Sequence, residues 1–125
     1  MSPDFKDLLF AFNARGVEYL VVGAQALAAH GRVRATGDLD VWVRPEAANA
    51  KRVIEALRVF GAPFDVLTSI DDVAFDEAWA DRMTAKFVDL SVPVLSAKHL
   101  IKNTRAVGRT QDLADLEWLE RLGKK

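Results

Sequence analysis

The chain has 125 residues, a formal net charge of -1, no cysteine, and a composition that is 50% hydrophobic and 28% charged. This fits one globular domain over residues 1–125, and it excludes disulfides, thiolate metal sites and a chain-wide basic surface for nucleic acid. No apolar run approaches the roughly 20 residues that span a bilayer, and the first residues lack a signal peptide's apolar core, so a cytoplasmic protein with no membrane partner is expected.

The spacing of Phe5, Leu8, Leu9 and Phe12 predicts a first helix over "SPDFKDLLFAFNARG", started near Ser2 and Pro3 and stopped at Gly16. "VEYLVVG" reads as a short strand ending at Gly23, and "AQALAAHG" as an alanine-rich helix closing at Gly31. The basic connector "RVRATG" leads into a second strand, "DLDVWVRP". A helix with Pro45 at its start follows, then a third strand, "APFDVLTSI", and a short helical turn, "DEAWADRM". "AKFVDLSVPVL" predicts two strands joined by a turn near Asp89, with Pro93 suited to a sheet edge. Two C-terminal helices complete the chain, with Ser96 and Thr110 as caps and Gly108 and Gly123 as stops. The order predicts an α/β (α+β) fold: a central mixed sheet flanked by helices.

The chemistry concentrates in "GDLDVWV", residues 37–43. Strand alternation sets Asp38, Asp40 and Trp42 on one face and Leu39, Val41 and Val43 on the other. Two carboxylates about 7 Å apart at Cα repel unless a cation lies between them, and hard oxygen ligands suit Mg²⁺ or Mn²⁺. An isolated Asp-x-Asp is more often a decorated strand end. Here the preceding strand turns at Gly23 directly into a helix, whose first amides can cradle a phosphate. Together the two features supply what phosphoryl-type transfer requires.

"YLVVGAQALAAHGRVRATGDLDVWV" resembles the signature of the nucleotidyltransferase superfamily: strand, glycine turn, helix, then Asp-h-Asp-h. More narrowly, with "FDVLTSIDDVAFDEAWADR" and "VPVLSAKHLIKNTRAVGRTQDLADLEWLE", the chain resembles small bacterial nucleotidyltransferase-like proteins related to abortive-infection type toxins. The resemblance spans about Val17 to Leu119. It implies a nucleotidyltransferase-like fold that transfers a nucleoside monophosphate from an NTP to a hydroxyl of RNA, protein or a small molecule such as an aminoglycoside. It implies Asp38 and Asp40 as catalytic metal ligands and Gly23 as the phosphate-binding turn, with Ala24 beside it. Asp65 of "FDVL" matches the third carboxylate, with Asp89 the alternative. A toxin-antitoxin role follows from the group; an antitoxin or a second copy of the chain is an implied partner.

The match departs from the family at two positions. Ala24 lacks a hydroxyl, and Thr104 stands where the group tends to carry lysine. Lys98 and Lys102 lie on other helical faces, so Arg105 and Arg109, at i,i+4 spacing, are the alternatives for gripping phosphate. Arg34, with Arg32, sits just upstream of the acidic strand and is a candidate nucleotide contact; the plain alternative is a solvated loop. Asp112 and Asp115 share a helix face, either near the nucleotide or simply solvated. His30 and His99 have no ligand spacing and read as structural or exposed. Trp42, Trp79 and Trp118 read as core or interface, although Trp42 shares the site face and is placed to stack on a base. A catalytically degenerate binding module of the same fold is the other reading.

Overall fold

The computed structural model describes residues 3–31, 39–57, 64–70, 72–87, 89–107 and 110–123, with backbone alone at 3–4, 64–65, 107, 110–113 and 122–123. Its elements are α1 (Pro3–Ala14), β1 (Tyr19–Val22), α2 (Gly23–Ala29), β2 (Leu39–Val43), α3 (Ala47–Leu57), β3 (Phe64–Leu67), α4 (Phe75–Ala80), β4 (Met83–Phe87), β5 (Leu90–Val94), α5 (Ala97–Val107) and α6 (Thr110–Gly123). The strands form one mixed sheet in the order β3-β2-β1-β5-β4. β1 is antiparallel to β2 and parallel to β5, β2 is parallel to β3, and β4 is antiparallel to β5. The expected mixed sheet flanked by helices, with two helices at the C-terminal end, is what forms.

β1 is buried along its whole length, as a strand covered on both faces must be. Phe5, Leu8, Leu9 and Phe12 of α1 are all buried, and the Phe12 ring lies 5.2 Å from that of Tyr19. The helix stops where Gly16 takes φ +68°, a conformation glycine adopts without a Cβ penalty, and Val17 N–H returns to Phe12 O at 3.0 Å. The Tyr19 face of β1 thus meets α1. The opposite face, which β2 continues with Asp40 and Trp42, meets α2 and α4: Gly23 stands beside Asp40, and the Phe75 ring packs edge-on to Trp42 at 5.0 Å.

Far from Asp40, where β1 begins and β2 ends, the two strands are clipped by Asn49 of α3. Its side chain is fully buried; Oδ1 accepts from Glu18 N–H at 2.8 Å, and Nδ2 donates to the Glu18 and Arg44 carbonyls at 3.0 Å each. Arg44 adds ion pairs to Glu18 and Asp76 and lies 4.7 Å over the Phe75 ring, tying α4 to the same end. Those carboxylates hold the guanidinium even further above its ordinary pKa, with the Asp76 hydrogen bond the largest cause.

Three sequence expectations are corrected here. Pro93 lies in β5, between β1 and β4, and not at a sheet edge. Leu95 N–H donates to Val21 O, so alternation turns the Pro93 nitrogen toward β1 as well, where the β1–β5 ladder has its one rung at Val21↔Val94. No bond to β4 is lost. Pro45 is not the first helical residue: Glu46 N–H bonds to Arg44 O, and the helix begins at Ala47. Trp42 is 2% exposed beneath Phe75, so it is core and cannot stack on a base without unpacking α4. Among the described residues, no helix is long and apolar enough to cross a membrane.

Candidate active site

The site is assembled where three strands and one helix meet. β1 ends at Val22 and α2 begins at the next residue, with no intervening loop. Only a residue that tolerates positive φ can make that corner, and Gly23 sits at φ +67°. Asp40 of β2 pairs with Val22 on one side and with Asp65 of β3 on the other. Positions 40 and 65 are therefore direct neighbours, one inter-strand spacing of about 4.8 Å apart.

The glycine does more than turn the chain. A Cβ built at position 23 would stand 2.6 Å from Oδ2 of Asp40, 3.5 Å from its Cγ and 3.6 Å from its Cβ. The carboxylate thus occupies the volume that any other residue would need. Asp40 is half-buried there. Val22 provides no side-chain cap, and no acidic residue lies in the first turn of α2 to compete for its amides.

The other expected residues divide clearly. Asp38, Arg32, Arg34 and Arg109 lie outside the described residues. Asp65 and Asp112 have backbone positions, in β3 and α6, and nothing further. Ala24 is half-buried in the first turn of α2, and Thr104 is half-buried on α5. Arg105, an alternative for the missing lysine, pairs with Glu120 of α6 at 2.6 Å. Asp89 lies in the β4–β5 turn, exposed and paired with Lys6 at 2.9 Å, which holds its carboxyl below the usual range. It belongs to that turn and is not a neighbour of Asp40 in register.

Three further polar groups are fixed by packing. Asp115 is 2% exposed, so it is not solvated, and the helix that carries it packs along α5. His99 is buried, with Nε2 bonded to Asp81 at 3.0 Å, which lowers the Asp81 carboxyl pKa; Lys98, 3.7 Å away, adds to that shift. His30 donates from Nε2 to Leu95 O at 2.9 Å, fastening the end of α2 to the end of β5. Both histidines are structural ties. Asn49 carries a signal in the sequence: with Val53 and Ala56 it forms the i, i+4, i+7 buried stripe of α3, a place where a polar residue implies buried partners.

The chain superposes on the solution structure of the antibiotic-resistance factor ANT(2'')-Ia with a TM-score of 0.68 and 13% identity, covering 93% of this chain and 80% of that one. The fold is nucleotidyltransferase-like. The crystal structure of ANT(2'')-Ia in complex with adenylyl-2''-tobramycin matches with a TM-score of 0.65 and 12% identity, over 92% of this chain and 84% of that one. No family model and no curated protein matches the sequence. In this nucleotidyltransferase-like fold, the corner of Gly23, Asp40 and position 65 lies at the middle of one half of the sheet. The segments leading into β2 and β3, residues 32–38 and 58–63, fall outside the described residues. Among the described residues no group of three His, Cys, Asp or Glu side chains gathers to hold a metal. Asp40 fits a hard divalent ion in kind, as a half-buried oxygen ligand whose carboxylate fills the space of the missing Cβ.

Proposed function

We propose that this chain transfers a nucleoside monophosphate from an NTP to a hydroxyl acceptor in a Mg²⁺- or Mn²⁺-dependent reaction. The observation that carries the reading is the contact of the Asp40 carboxylate with the glycine corner, one strand away from Asp65. Asp38 and Asp40 would be the main metal ligands, with Asp65 completing the set. A bound divalent cation supplies charge neutralisation for the triphosphate and for the oxygen that attacks it.

The chain's own residues then have separable tasks. The amides at the Gly23–Ala24 corner would hold phosphate oxygens, with Arg34 or Arg109 reaching the triphosphate and Thr104 and Asp112 lining the same wall. Asp65 would accept the acceptor's hydroxyl proton as its oxygen bonds to the α-phosphorus. The bond from that phosphorus to the bridging oxygen breaks, and pyrophosphate leaves. The comparison with a structure holding adenylyl-2''-tobramycin favours a small-molecule acceptor over RNA or protein. A toxin paired with an antitoxin is the physiological setting that the sequence resemblance supports.

Incubation with α-labelled NTPs and Mg²⁺, with candidate small-molecule, RNA and protein acceptors, tests the reaction. Label should move to one acceptor class in the wild type and not in Asp40→Asn. One observation favours a second reading, a nucleotide-binding module without catalysis. Position 104 carries no cation, and Arg105 is already engaged by Glu120. Tight NTP binding with no label transfer to any acceptor would select it.

A further inference from the structure

β4 is an edge strand whose outer side pairs with no strand among the described residues. Natural edges are usually covered, bulged or interrupted by proline. Here β4 stands between two open hollows. One, of about 540 Å³, is lined by Gln25, Ala28, Ala29 and the length of β4; the other, of about 400 Å³, includes Thr84, Ser91, Pro93, Trp79 and Arg82. We propose that a second copy of this chain adds its own β4 to this edge, antiparallel and centred on Ala85, so that two five-stranded sheets become one.

The hydrogen-bond pattern fixes which groups are on offer. Leu95 N–H points to β1, so by alternation Leu90, Val92 and Val94 point to β4, and their partners Phe87, Ala85 and Met83 point back. The outward N–H and C=O groups are those of Thr84 and Lys86. A two-fold axis at Ala85 sets Thr84 opposite Lys86 of the second copy, twice, and satisfies all four donor and acceptor pairs.

Charge selects that register. Centred on Lys86, the pairing would oppose two lysines; centred on Thr84, it would oppose Lys86 and Arg82. Like charges directly opposite destabilise a strand pair. Centred on Ala85, neither clash occurs. Met83 then faces Phe87 of the second copy, and the half-buried Met83, Ala85 and Phe87 of both copies line one continuous concavity. A strand that reads symmetrically about its middle residue, apolar–polar–Ala–polar–apolar, matches itself.

The absence of cysteine gives a clean test. Residues opposite at a non-hydrogen-bonded site have Cα atoms about 4.5 Å apart, within disulfide reach. Ala85→Cys should oxidise to a covalent dimer under mild conditions, whereas Thr84→Cys, whose copies stand beyond the roughly 7 Å limit, should not. By sedimentation, the unmodified chain should move with concentration toward twice its 13.8 kDa mass. Thr84→Pro, which removes an outward N–H where edge strands tolerate proline, should hold it at the monomer mass. A wild-type chain that stays monomeric at high micromolar concentration overturns the proposal, as does a Thr84→Cys variant that cross-links as readily as Ala85→Cys.

Discussion

Substituting Gly23 by alanine perturbs two things that can be measured apart. The first is backbone strain, since φ +67° places an alanine in the left-handed region at a cost of roughly 1–2 kcal/mol. The second is the new methyl, 2.6 Å from Asp40 Oδ2, where an ordinary contact is longer by more than half an ångström. That oxygen ends a short side chain, so the carboxylate will rotate away at modest cost, and the main effect is to dislodge Asp40 from the corner. Gly16 is the internal control. Its φ is +68°, and a Cβ there meets nothing within 4 Å. Gly16→Ala should therefore show the strain alone, a fall in melting temperature of about 5 °C for a domain of this size. Gly23→Ala should lose more, and in an Asp40→Ala background its cost should shrink to that of Gly16→Ala. The assay is denaturant unfolding of the four-member cycle beside the control, repeated with Mg²⁺ and an NTP. Equal costs at the two glycines, with no coupling to Asp40 and an unchanged nucleotide response, would refute the packed-carboxylate account.

Asn49→Ala should destabilise the fold by about 1–3 kcal/mol, because it strands the Glu18 N–H at the far end of β1 and β2, while the Glu18 and Arg44 carbonyls keep the backbone N–H groups of Arg44 and Glu46; a loss under about 0.5 kcal/mol in urea unfolding would show that water replaces the clip. Trp42→Phe should be mild, because Trp42 Nε1 is buried without a partner among the described residues, whereas Trp42→Ala opens a cavity worth about 3–5 kcal/mol; similar costs for both would contradict this. The Asp81 carboxyl has a pKa lowered in the folded state by His99 and then Lys98. It therefore supports folding above the ordinary carboxylate value of about 3.9, and that support fades as pH falls below it. Asp81→Asn should flatten the acid limb of the stability curve, and superimposable limbs would show that the pair does not couple to folding.

Much of the fold was legible because its signals are local. Phe5, Leu8, Leu9 and Phe12 announce the buried stripe of α1, Gly16 its end, and the pattern around Asp89 the turn between β4 and β5. The pairing of Asp40 with its neighbours was legible only as far as strand alternation reaches. What failed was long-range. Period-two reasoning put Trp42 on the face of Asp40 correctly, but could not know that Phe75, from a helix more than thirty residues later, covers it. Proline lacks a donor, so Pro93 by itself suits an edge; strand order, which no local window contains, turns its nitrogen to where none is needed. Asp115 reads as either a cleft residue or a solvated one, and its burial comes from packing that no local window contains. The glycine corner shows the same limit: its sequence identified a turn, while the carboxylate filling the missing Cβ became visible only in three dimensions.

The central claim is that Asp40, pressed into that corner, serves a metal-bound nucleotide. Melting curves of the wild type and the near-isosteric Asp40→Asn, with NTP and with or without Mg²⁺, test it most directly. At a ligand concentration 100 times Kd, binding should add about 2.7 kcal/mol of stability in the wild type, only with Mg²⁺ present, and nothing in Asp40→Asn. A nucleotide response of equal size in the variant, or one indifferent to the metal, would contradict the account.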